Sequence, residues 1–474
     1  MNVKTGRPIN IEIDHLSRVE GHGDIRIRIE NGKLVECTWK VVETPRFFEV
    51  MFKGLSIEMA PLLAARICGI CSISHALASA RAIERALKIE IPEPAQKVRL
   101  LAKHAETLQS HTLHLFFLVA PDFLNVDSVI PLIQTHPQVV ETAARIKGFA
   151  NRASDLFAGR TTHPMVIKVG GSTQVPRKRQ LRELVKDLDA TIPYLWEALD
   201  LFKSFTMPDF VRETEFVSLR GTEEYPFIGG NLVSSDGICK KEDEYRAMTN
   251  EYLVDFSTSK FSRLSRESFA VGALARFNNN YDLLHPKAKE TAEELKLRLG
   301  EHNPFFYNLA QLVECFHVMY ESKEIILRLI DSDISEFASH YKVKGCEGVG
   351  AVEAPRGILY HYYRIGEDGK IEKSDCVMPT SQNHAKIYYD LHKLVEELIG
   401  QGKGEEEIRN LSQMLVRAYD PCISRGQDNL EPQYVAPLFL LTHNSITVIS
   451  RPPKARFYPL STVKEEVTNE RHPK

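Results

Sequence analysis

The sequence predicts a mainly α-helical fold with peripheral β structure (α+β), in which a bundle of long helices forms the core. Three observations support this class: apolar residues recur at helical spacing over several long stretches, they alternate with charged residues near the N-terminus, and glycine-rich segments separate the later helices. No fixed-period repeat, low-complexity tract or flexible linker divides the 474 residues. We therefore expect one interwoven unit over residues 1–474.

Four regions follow one another along the chain. The first is predicted as β structure because apolar and charged residues alternate from Ile11 to Val42, and because Asn31-Gly32 favours a tight turn. The third is predicted as a β-hairpin region with a turn near Gly366. Residues 1–55 are predicted as the N-terminal β region and residues 56–335 as the helical core. Residues 345–381 are predicted as the β-hairpin region, and residues 382–474 as a C-terminal part with helices, a metal motif and a retained tail.

The long helices and the remaining strands are placed by periodicity. Helices are predicted at 56–87, 95–119, 138–157, 179–205, 286–330 (as a broken pair) and 385–398. Strand-like segments are predicted at 215–236 and 349–380, and the β-branched tail segment 442–450 is also predicted as a strand. The helices therefore form the core, and the strands lie around it.

Composition excludes some classes of function. The chain is 43% hydrophobic and 26% charged with a formal net charge of -3, so it lacks the basic excess of nucleic-acid-binding proteins. Its N-terminus has no apolar signal region, and no apolar stretch is long enough to span a bilayer. We expect no nucleic-acid partner, no direct membrane span and a cytoplasmic location.

The eight cysteines indicate metal or redox chemistry more than a disulfide framework, because only Cys68 and Cys71 are close in sequence. The pair lies in a helical pattern, and His75 follows one turn later. Residues three apart share a helical face, so the two thiolates can bind one metal together. A redox dithiol, half of a zinc site or an accidental pair remain alternatives. The other cysteines are expected to be buried small side chains, apart from Cys422.

Cys422 is a distant third thiol. It follows Asp420-Pro421, and the proline is expected to end the preceding helix and leave the cysteine in a loop. Three thiolates from opposite ends of the chain then form one site. Soft sulfur ligands select nickel, zinc, copper or iron-sulfur centres, but they do not choose among them.

Together with other motifs, these cysteines resemble the large subunit of nickel-iron hydrogenases, in the form of the soluble cytoplasmic enzymes. The motifs occur in the family's order and cover nearly the whole chain. They are Leu16-Ser-Arg-Val-Glu20-Gly-His22-Gly, Arg66 to His75, Ser110-His111-Thr-Leu-His114, Pro121-Asp122, His163-Pro164 with Gly170-Gly171, Glu353-Ala-Pro-Arg356-Gly, Pro379-Thr380 and Asp420-Pro421-Cys422. The resemblance implies the hydrogenase large-subunit fold and a nickel-iron centre whose iron has carbonyl and cyanide ligands.

The resemblance also implies roles for single residues. Cys68 and Cys422 would be terminal nickel ligands, and Cys71 would bridge nickel and iron. Arg356 is similar to the arginine over the iron, where a fixed guanidinium can act near the substrate. Glu20 resembles the carboxylate that passes protons to and from a terminal cysteine.

Further positions follow from the same resemblance. Glu49 is similar to a carboxylate ligand of a separate magnesium or iron site. Asp428, where the family has a histidine, could still offer an oxygen to a hard cation beside Glu49. His75 is expected to orient a cysteine sulfur from outside the ligand set, in support of catalysis. Thr380, Leu359 and Arg425 are expected beside the cofactor.

Arg425 and Asp428 depart from the family pattern, which has a cysteine and a histidine at these positions. A guanidinium has no lone pair to give a metal and adds a fixed positive charge. The chain is therefore expected to be either a redox subunit, coupled to an iron-sulfur small subunit and further electron-transfer subunits, or a hydrogenase-derived scaffold with an incomplete or absent centre. A simpler thiolate-bound metal that reduces a sulfur compound is a third alternative. A retained tail agrees with the missing histidine, after which the family's tail is usually cut off.

Other roles for these residues are also open. Glu20 could cap local backbone, and Arg356 could pair with Glu353 on a surface hairpin. His111 and His114 are expected to be core histidines with satisfied hydrogen bonds, since they lie on one face of an apolar helix.

Overall fold

The computed structural model describes residues 8–42 and 47–423, together with the backbone of two strands in the tail. Residues Met1–Gln427 group into one compact unit and Asp428–Lys474 into a second, and each is described by itself. The α+β class is confirmed. The prediction of one interwoven unit over residues 1–474 stays a prediction, because much of the chain after Ile423 lies outside the described residues.

The strands form small sheets. They are β1 Ile9–Ile13, β2 Gly23–Glu30, β3 Lys33–Val41, β4 Ile167–Lys168, β5 Gly171–Ser172, β6 Glu215–Arg220, β7 Asn231–Ser234, β8 Cys239–Lys240, β9 Tyr252–Val254, β10 Ser257–Phe261, β11 Phe269–Ala270, β12 Cys346–Ala354, β13 Gly357–Ile365, β14 Ile371–Val377, β15 Leu438–Thr442 and β16 Ser445–Ile449. The sheets have the orders β1-β2-β3, β4-β5, β11-β6-β7-β8, β10-β9, β12-β13-β14 and β15-β16. The pair β2-β3 confirms the hairpin predicted around Asn31, and β12-β13-β14 confirms the hairpin region.

The helices supply most of the buried core. They are α1 Phe47–Phe52, α2 Ala60–Ala64, α3 Ser72–Leu87, α4 Glu93–Leu113, α5 Ala120–Phe123, α6 Val129–Thr135, α7 Pro137–Ala158, α8 Lys178–Lys203, α9 Tyr245–Thr249, α10 Ala273–Asn280, α11 Pro286–Glu294, α12 Tyr307–Asp331, α13 Pro379–Gly400 and α14 Glu405–Ala418. Helix α4 packs against α7 and α12, and α8 packs against the same two helices. These four long helices are the predicted bundle.

One long helix was predicted wrongly. The sequence favoured a continuous helix over 56–87, but the chain leaves α2 at Ala64 and begins α3 at Ser72. Cys68 therefore lies in the connecting segment, and Cys71 is the residue before the first turn of α3. The apolar residues of the connection continue the helical spacing although they are buried as a loop, so periodicity alone did not show the break.

Helix α3 lies directly on β12, and this contact positions the site. A Cβ at Gly350 would lie 2.3 Å from the carbonyl oxygen of Ala78, and one at Gly348 would lie 2.5 Å from that of Ala82. Glycine is required at both positions because the helix backbone occupies the space of a side chain. Since β12 and α3 run in opposite directions, the turn that follows β12 meets the first turn of α3.

Of the tail segment predicted as a strand at 442–450, Ser445–Ile449 form β16, which pairs with β15 in antiparallel register. Within residues 8–42 and 47–423, no helix combines the length and the apolar character that a bilayer crossing requires.

Candidate metal centre

Three cysteine sulfurs meet although the chain separates them widely. The Sγ atom of Cys68 lies 2.6 Å from that of Cys71 and 3.5 Å from that of Cys422. One metal ion can contact all three, because the three sulfurs lie within 4.8 Å of one another. The convergence that the motif order predicted is therefore present in the structure.

The first turn of α3 fixes two of these cysteines. The backbone N–H of Cys71 donates to the sulfur of Cys68 over 3.2 Å. The first N–H groups of α3 are bound by a buried carboxylate, since Glu106 accepts from Ile73 at 2.7 Å and from Ser74 at 3.0 Å. Glu106 itself lies 3.3 Å from the ammonium group of Lys103. A carboxylate at a helix N-terminus is favoured by the helix dipole, so this pair anchors the cysteine loop.

Cys422 is positioned by the end of α14. Asp420 has a φ of 50°, a left-handed conformation that ends the helix, and Pro421 prevents its continuation. The N–H of Cys422 then donates to the Thr380 hydroxyl at 3.0 Å, and the N–H of Ile423 donates to the Glu20 carboxylate at 2.8 Å. The predicted helix end at Pro421 is confirmed.

Glu20 therefore lies beside the cysteine loop. Its backbone carbonyl also accepts from Ile423 at 2.9 Å, so the motif around Glu20 runs parallel to the segment that contains Cys422. The carboxylate accepts a backbone N–H from a segment 403 residues away, not from local backbone as one interpretation expected, and it is adjacent to a cysteine, as the other required. Glu20 is partly exposed, so it lies between the sulfur cluster and solvent.

Arg356 is buried over the same cluster. It occupies the turn between β12 and β13, and its Nε donates to the Asp420 carbonyl at 2.7 Å while Nη2 donates to the Asp420 carboxylate at 2.8 Å. Nη1 donates to Ser110 at 3.2 Å. The alternative of a surface pair with Glu353 is wrong, because Glu353 pairs with Arg276 instead.

A small cavity of about 20 Å³ lies among these groups. Its lining residues are Ile67, Cys68, Cys71, His75, Ala354, Pro355, Arg356, Met378, Pro379, Thr380 and Cys422. Thr380 thus lies where a cofactor-binding residue was predicted. Leu359 is fully buried on β13 and is not among the residues that line this cavity.

Charge is shared unequally among the three thiols. The pKa of Cys68 is lowered well below its ordinary value because the Cys422 and Cys71 thiols donate hydrogen bonds to its sulfur. Hydrogen bonding to Cys68, together with burial, raises the pKa of Cys422. Burial opposes the charge of Arg356, but the Asp420 carboxylate and the cysteine sulfurs raise its pKa above the ordinary value. The guanidinium therefore stays charged beside the sulfurs.

His75 is joined to a second buried histidine. Its Nδ1 lies 3.1 Å from Nε2 of His361, whose own Nδ1 lies 2.9 Å from the Tyr363 hydroxyl. Tyr363 donates onward to Ser79 at 3.0 Å. These contacts fix the orientation of His75 at the edge of the cavity, in agreement with an orienting role.

The residues predicted to form a separate hard-metal site are only partly described. Glu49 lies on α1 and accepts the backbone N–H of Cys376 at 3.2 Å. Asp428 and Arg425 lie outside the described residues. The magnesium or iron site at Glu49 and Asp428 therefore stays a prediction, as does the position of Arg425.

The predicted core histidines of α4 have hydrogen-bond partners. His111 lies 2.7 Å from the Glu314 carboxylate. His114 lies 2.6 Å from the side-chain oxygen of Gln311 and 2.7 Å from the carbonyl of Arg417. Both are buried, so their place in the core is confirmed. The expectation of satisfied hydrogen bonds holds for both ring nitrogens of His114, but Nδ1 of His111 has no partner among the described residues.

A second group with metal-ligand chemistry, away from the cysteines, consists of His104, His317 and Glu321. Its geometry favours a histidine–carboxylate contact over a metal site. The backbone N–H of His285 donates to Nδ1 of His317 at 3.0 Å, so the proton of neutral His317 is on Nε2, which lies 2.8 Å from the Glu321 carboxylate. His317 therefore has no lone pair for a metal, and we assign none to this cluster.

Comparisons with known proteins identify the class to which this fold and site belong. The family model described as nickel-dependent hydrogenase matches residues 46–147 and 239–426, and a model described as HoxL-like matches residues 10–44. The alpha subunit of sulfhydrogenase 2 of Pyrococcus furiosus is 33% identical over 87% of this chain and 98% of its own length. The alpha subunit of sulfhydrogenase 1 of the same organism is 31% identical over 87% of this chain and 96% of its own length.

The chain belongs to the nickel-dependent hydrogenase large-subunit family. The beta subunit of the NAD-reducing hydrogenase of Cupriavidus necator is 30% identical over 87% of this chain and 93% of its own length. A crystal structure of an NAD+-reducing [NiFe]-hydrogenase superposes with a TM-score of 0.80 at 26% identity, over 89% of this chain and all of that chain. The chain is thus similar over most of its length to a hydrogenase subunit of known structure.

Proposed function

We propose that this chain is the redox-active large subunit of a nickel-iron hydrogenase-type complex, which couples oxidation of dihydrogen, or reduction of protons, to electron transfer through an iron-sulfur small subunit. The observation that supports this most is the meeting of three cysteine sulfurs within 4.8 Å in a buried pocket beside a charged arginine. Three soft donors suit nickel, and a buried guanidinium suits the anionic ligands of an iron site. In donor type and in charge, these residues fit the expected nickel-iron centre.

The chain's own residues have separable tasks. Cys68, Cys71 and Cys422 hold the centre, whose redox chemistry when bound splits dihydrogen into two protons and two electrons. Arg356 supplies a fixed positive charge, and the Asp420 contacts prevent it from turning away.

Proton transfer falls to Glu20 in this proposal. Its carboxylate contacts the residue that follows Cys422 and is partly exposed, so it can accept a proton at the cysteine and release it toward water. The electrons leave through the clusters of the small subunit to further electron-transfer subunits. Thr380 fixes the Cys422 backbone, and His75 orients the cysteine loop. Carbonyl and cyanide ligands on the iron and a cytoplasmic location belong to the same proposal.

A separate magnesium or iron ion at Glu49 and Asp428 is also part of the proposal. Glu49 places a carboxylate against β14, where it accepts the N–H of Cys376. Oxygen ligands of this kind suit a hard cation. Magnesium analysis of the purified protein and of an Asp428→Ala variant tests the assignment, and an unchanged magnesium or iron content in the variant would contradict it.

One sequence observation favours a second candidate function. Arg425 and Asp428 replace a cysteine and a histidine of the family pattern, so the chain can instead be a scaffold that docks partner subunits without a complete centre. The two functions differ in metal content. The redox subunit retains nickel and iron and shows infrared bands of iron-bound carbonyl and cyanide, and the scaffold shows neither.

The experiment uses the complex purified with its partner subunits under anaerobic conditions. Nickel and iron are measured per chain, infrared spectra are recorded, and dihydrogen-dependent reduction of a dye is assayed. Polysulfide is included as an acceptor because two relatives are named sulfhydrogenase. A complex that contains nickel but turns over only the sulfur compound would favour the simplified centre. Absence of nickel, infrared bands and turnover would overturn the redox proposal.

A further inference from the structure

A second buried arginine lies behind the turn that contains Arg356. Arg276 on α10 is fully buried, and all its N–H groups are used. Nε and Nη2 donate to the two carboxylate oxygens of Glu314 at 2.6 and 2.7 Å, and Nη1 donates to the Glu353 carboxylate at 3.0 Å. The remaining two donors reach backbone carbonyls. Nη1 donates to Ala354 at 3.0 Å and Nη2 to Pro355 at 2.9 Å.

These two carbonyls belong to the residues that immediately precede Arg356. Ala354 and Pro355 also line the cavity beside the cysteines. Because proline has no N–H group, this turn has one donor fewer for fixing its own backbone. A planar guanidinium with a fixed fork can bind two neighbouring carbonyls at once, which an ammonium group cannot do in the same geometry.

The turn packs closely against the residues that precede α10. A Cβ at Gly272, the residue before α10, would lie 2.9 Å from the carbonyl oxygen of Arg356. A Cβ at Gly357 would lie 2.4 Å from the Val271 side chain, and Gly357 has a φ of 135°. The backbone of the turn therefore contacts the backbone that precedes α10. The hydrogen bonds of Arg276 lie one helical turn further along α10.

Arg276 is in turn anchored to the helical bundle. Glu314 lies on α12 and also accepts from the Tyr225 hydroxyl at 2.7 Å, while its other oxygen lies 2.7 Å from His111 on α4. Glu353 accepts the backbone N–H of Leu219 at 2.7 Å. The turn is thus connected through one side chain to the two central helices and to β6.

We propose that Arg276 is a positioning residue for the site: it fixes the Ala354 and Pro355 carbonyls, so that the Arg356 guanidinium is held over the three cysteine sulfurs. This inference rests on the proposed function only where it concerns turnover. Arg276 donates to Glu314, Glu353, Ala354 and Pro355 and is not among the residues that line the cavity, so its effect on the site passes through the turn.

The test compares Arg276→Lys with Arg99→Lys. Arg99 is a matched control because it is also buried, pairs with Glu84 at 2.7 Å and donates to two backbone carbonyls, those of Lys168 at 2.7 Å and Gly171 at 2.8 Å. Its loop does not line the cavity. A purely structural role predicts similar losses of kcat in the two variants.

The first readout is amide hydrogen exchange of the purified complex, which needs no metal. In Arg276→Lys we expect exchange of the amides in the 353–358 segment to rise about tenfold relative to wild type, while the 168–171 segment is unchanged, and we expect the reverse in Arg99→Lys. Unchanged exchange at 353–358 in Arg276→Lys would overturn the proposal, whether or not the wild type contains nickel.

The second readout applies if the wild type turns over dihydrogen. At equal nickel content, Arg276→Lys should lower kcat about tenfold with little change in KM, because a displaced Arg356 stabilises the transition state less without altering access of the gas. Arg99→Lys should keep kcat within about twofold of wild type. Equal losses of kcat in both variants would contradict positioning.

If Arg276→Lys does not fold, Glu353→Gln replaces it in both measurements, because this change keeps the arginine and weakens its hydrogen bond with one partner. The same pattern at smaller amplitude supports the proposal, and wild-type exchange and kcat refute it.

Discussion

The two functional side chains beside the cysteine cluster are held in environments that differ in access to water. We call one environment the Arg356 side; it consists of Arg356, Asp420, Arg276, Glu314 and Glu353. It is buried from water, since the side chains of Arg276, Glu314 and Glu353 are exposed by 0%, 1% and 0%. On this side a charge is fixed permanently. Burial makes each contact rigid, and it also makes each charge costly to leave unpaired.

The Glu20 side, meaning Glu20 with Arg18, Asp122 and Arg417, is closer to solvent. Arg18 and Asp122 are exposed by 14% and 9% and lie 2.5 Å apart. Asp122 also accepts two hydrogen bonds from Arg417, both of 2.9 Å, and Arg417 reaches the Ser17 carbonyl at 3.3 Å. A group that exchanges protons needs a route to water, and a fixed electrostatic group needs to exclude it. The difference between the two sides matches these two tasks.

The largest expected effect is on the Arg356 side. Glu314→Gln removes the charge that faces Arg276 in a fully buried pair, so we expect the free energy of unfolding to fall by about 3–5 kcal/mol, or the protein not to accumulate. Thermal and denaturant unfolding measure it. The control is Glu324→Gln on the same helix, whose side chain is 57% exposed and faces His285, and whose effect should stay within about 0.5 kcal/mol. Equal losses in the two variants would remove the distinction between buried and exposed pairs.

A smaller effect is expected at the corresponding carboxylate of the Glu20 side. Asp122→Asn weakens the contacts with Arg18, which is 14% exposed, and with the buried Arg417, but the amide oxygen can still accept hydrogen bonds from both, so the expected loss is about 1–3 kcal/mol. The same unfolding measurements apply. A loss larger than that of Glu314→Gln would show that the Glu20 side, and not the Arg356 side, is the more rigidly determined.

The smallest effect on stability is expected at Glu20 itself. The amide oxygen of Glu20→Gln can still accept the Ile423 N–H, so the free energy of unfolding should change by less than about 1 kcal/mol. Turnover of dihydrogen should nevertheless fall about 100-fold, because the amide cannot take up the proton. Glu12→Gln, on the exposed face of β1, is the control for a carboxylate in the same region. If Glu20→Gln kept wild-type turnover, Glu20 would not be the residue that transfers the proton.

The sequence predicted much of the site because its residues lie in short ordered motifs. The meeting of Cys68, Cys71 and Cys422 and the burial of Arg356 beside them follow the motif order. The loop form of the Cys68 segment was missed because apolar spacing continues across it. Asp428 and Arg425 fall outside the described residues. The effect of these two departures from the family pattern on the site therefore stays a prediction.

The residues that support the site could not be found from one sequence. Arg276, Glu314 and Glu353 belong to three separate elements, and nothing local marks them as partners. Glu106 likewise caps α3 from a neighbouring helix. Charged residues at helical positions usually read as solvated surface, and only tertiary packing shows that these are buried. The one local signal was that Glu353 belongs to the motif of Arg356, and this was interpreted as a possible pair between those two residues.

The most direct test of the account is to count the sulfur ligands of nickel by X-ray absorption at the nickel edge, on the complex purified with its partner subunits. The described residues bring three cysteine sulfurs together, and Arg425 replaces the fourth cysteine of the family pattern, so we expect three sulfur ligands for each nickel. A Cys422→Ser variant should lower the number of sulfur ligands or lose the metal. Four sulfurs around nickel, or a protein that contains none of the metal, would contradict the account.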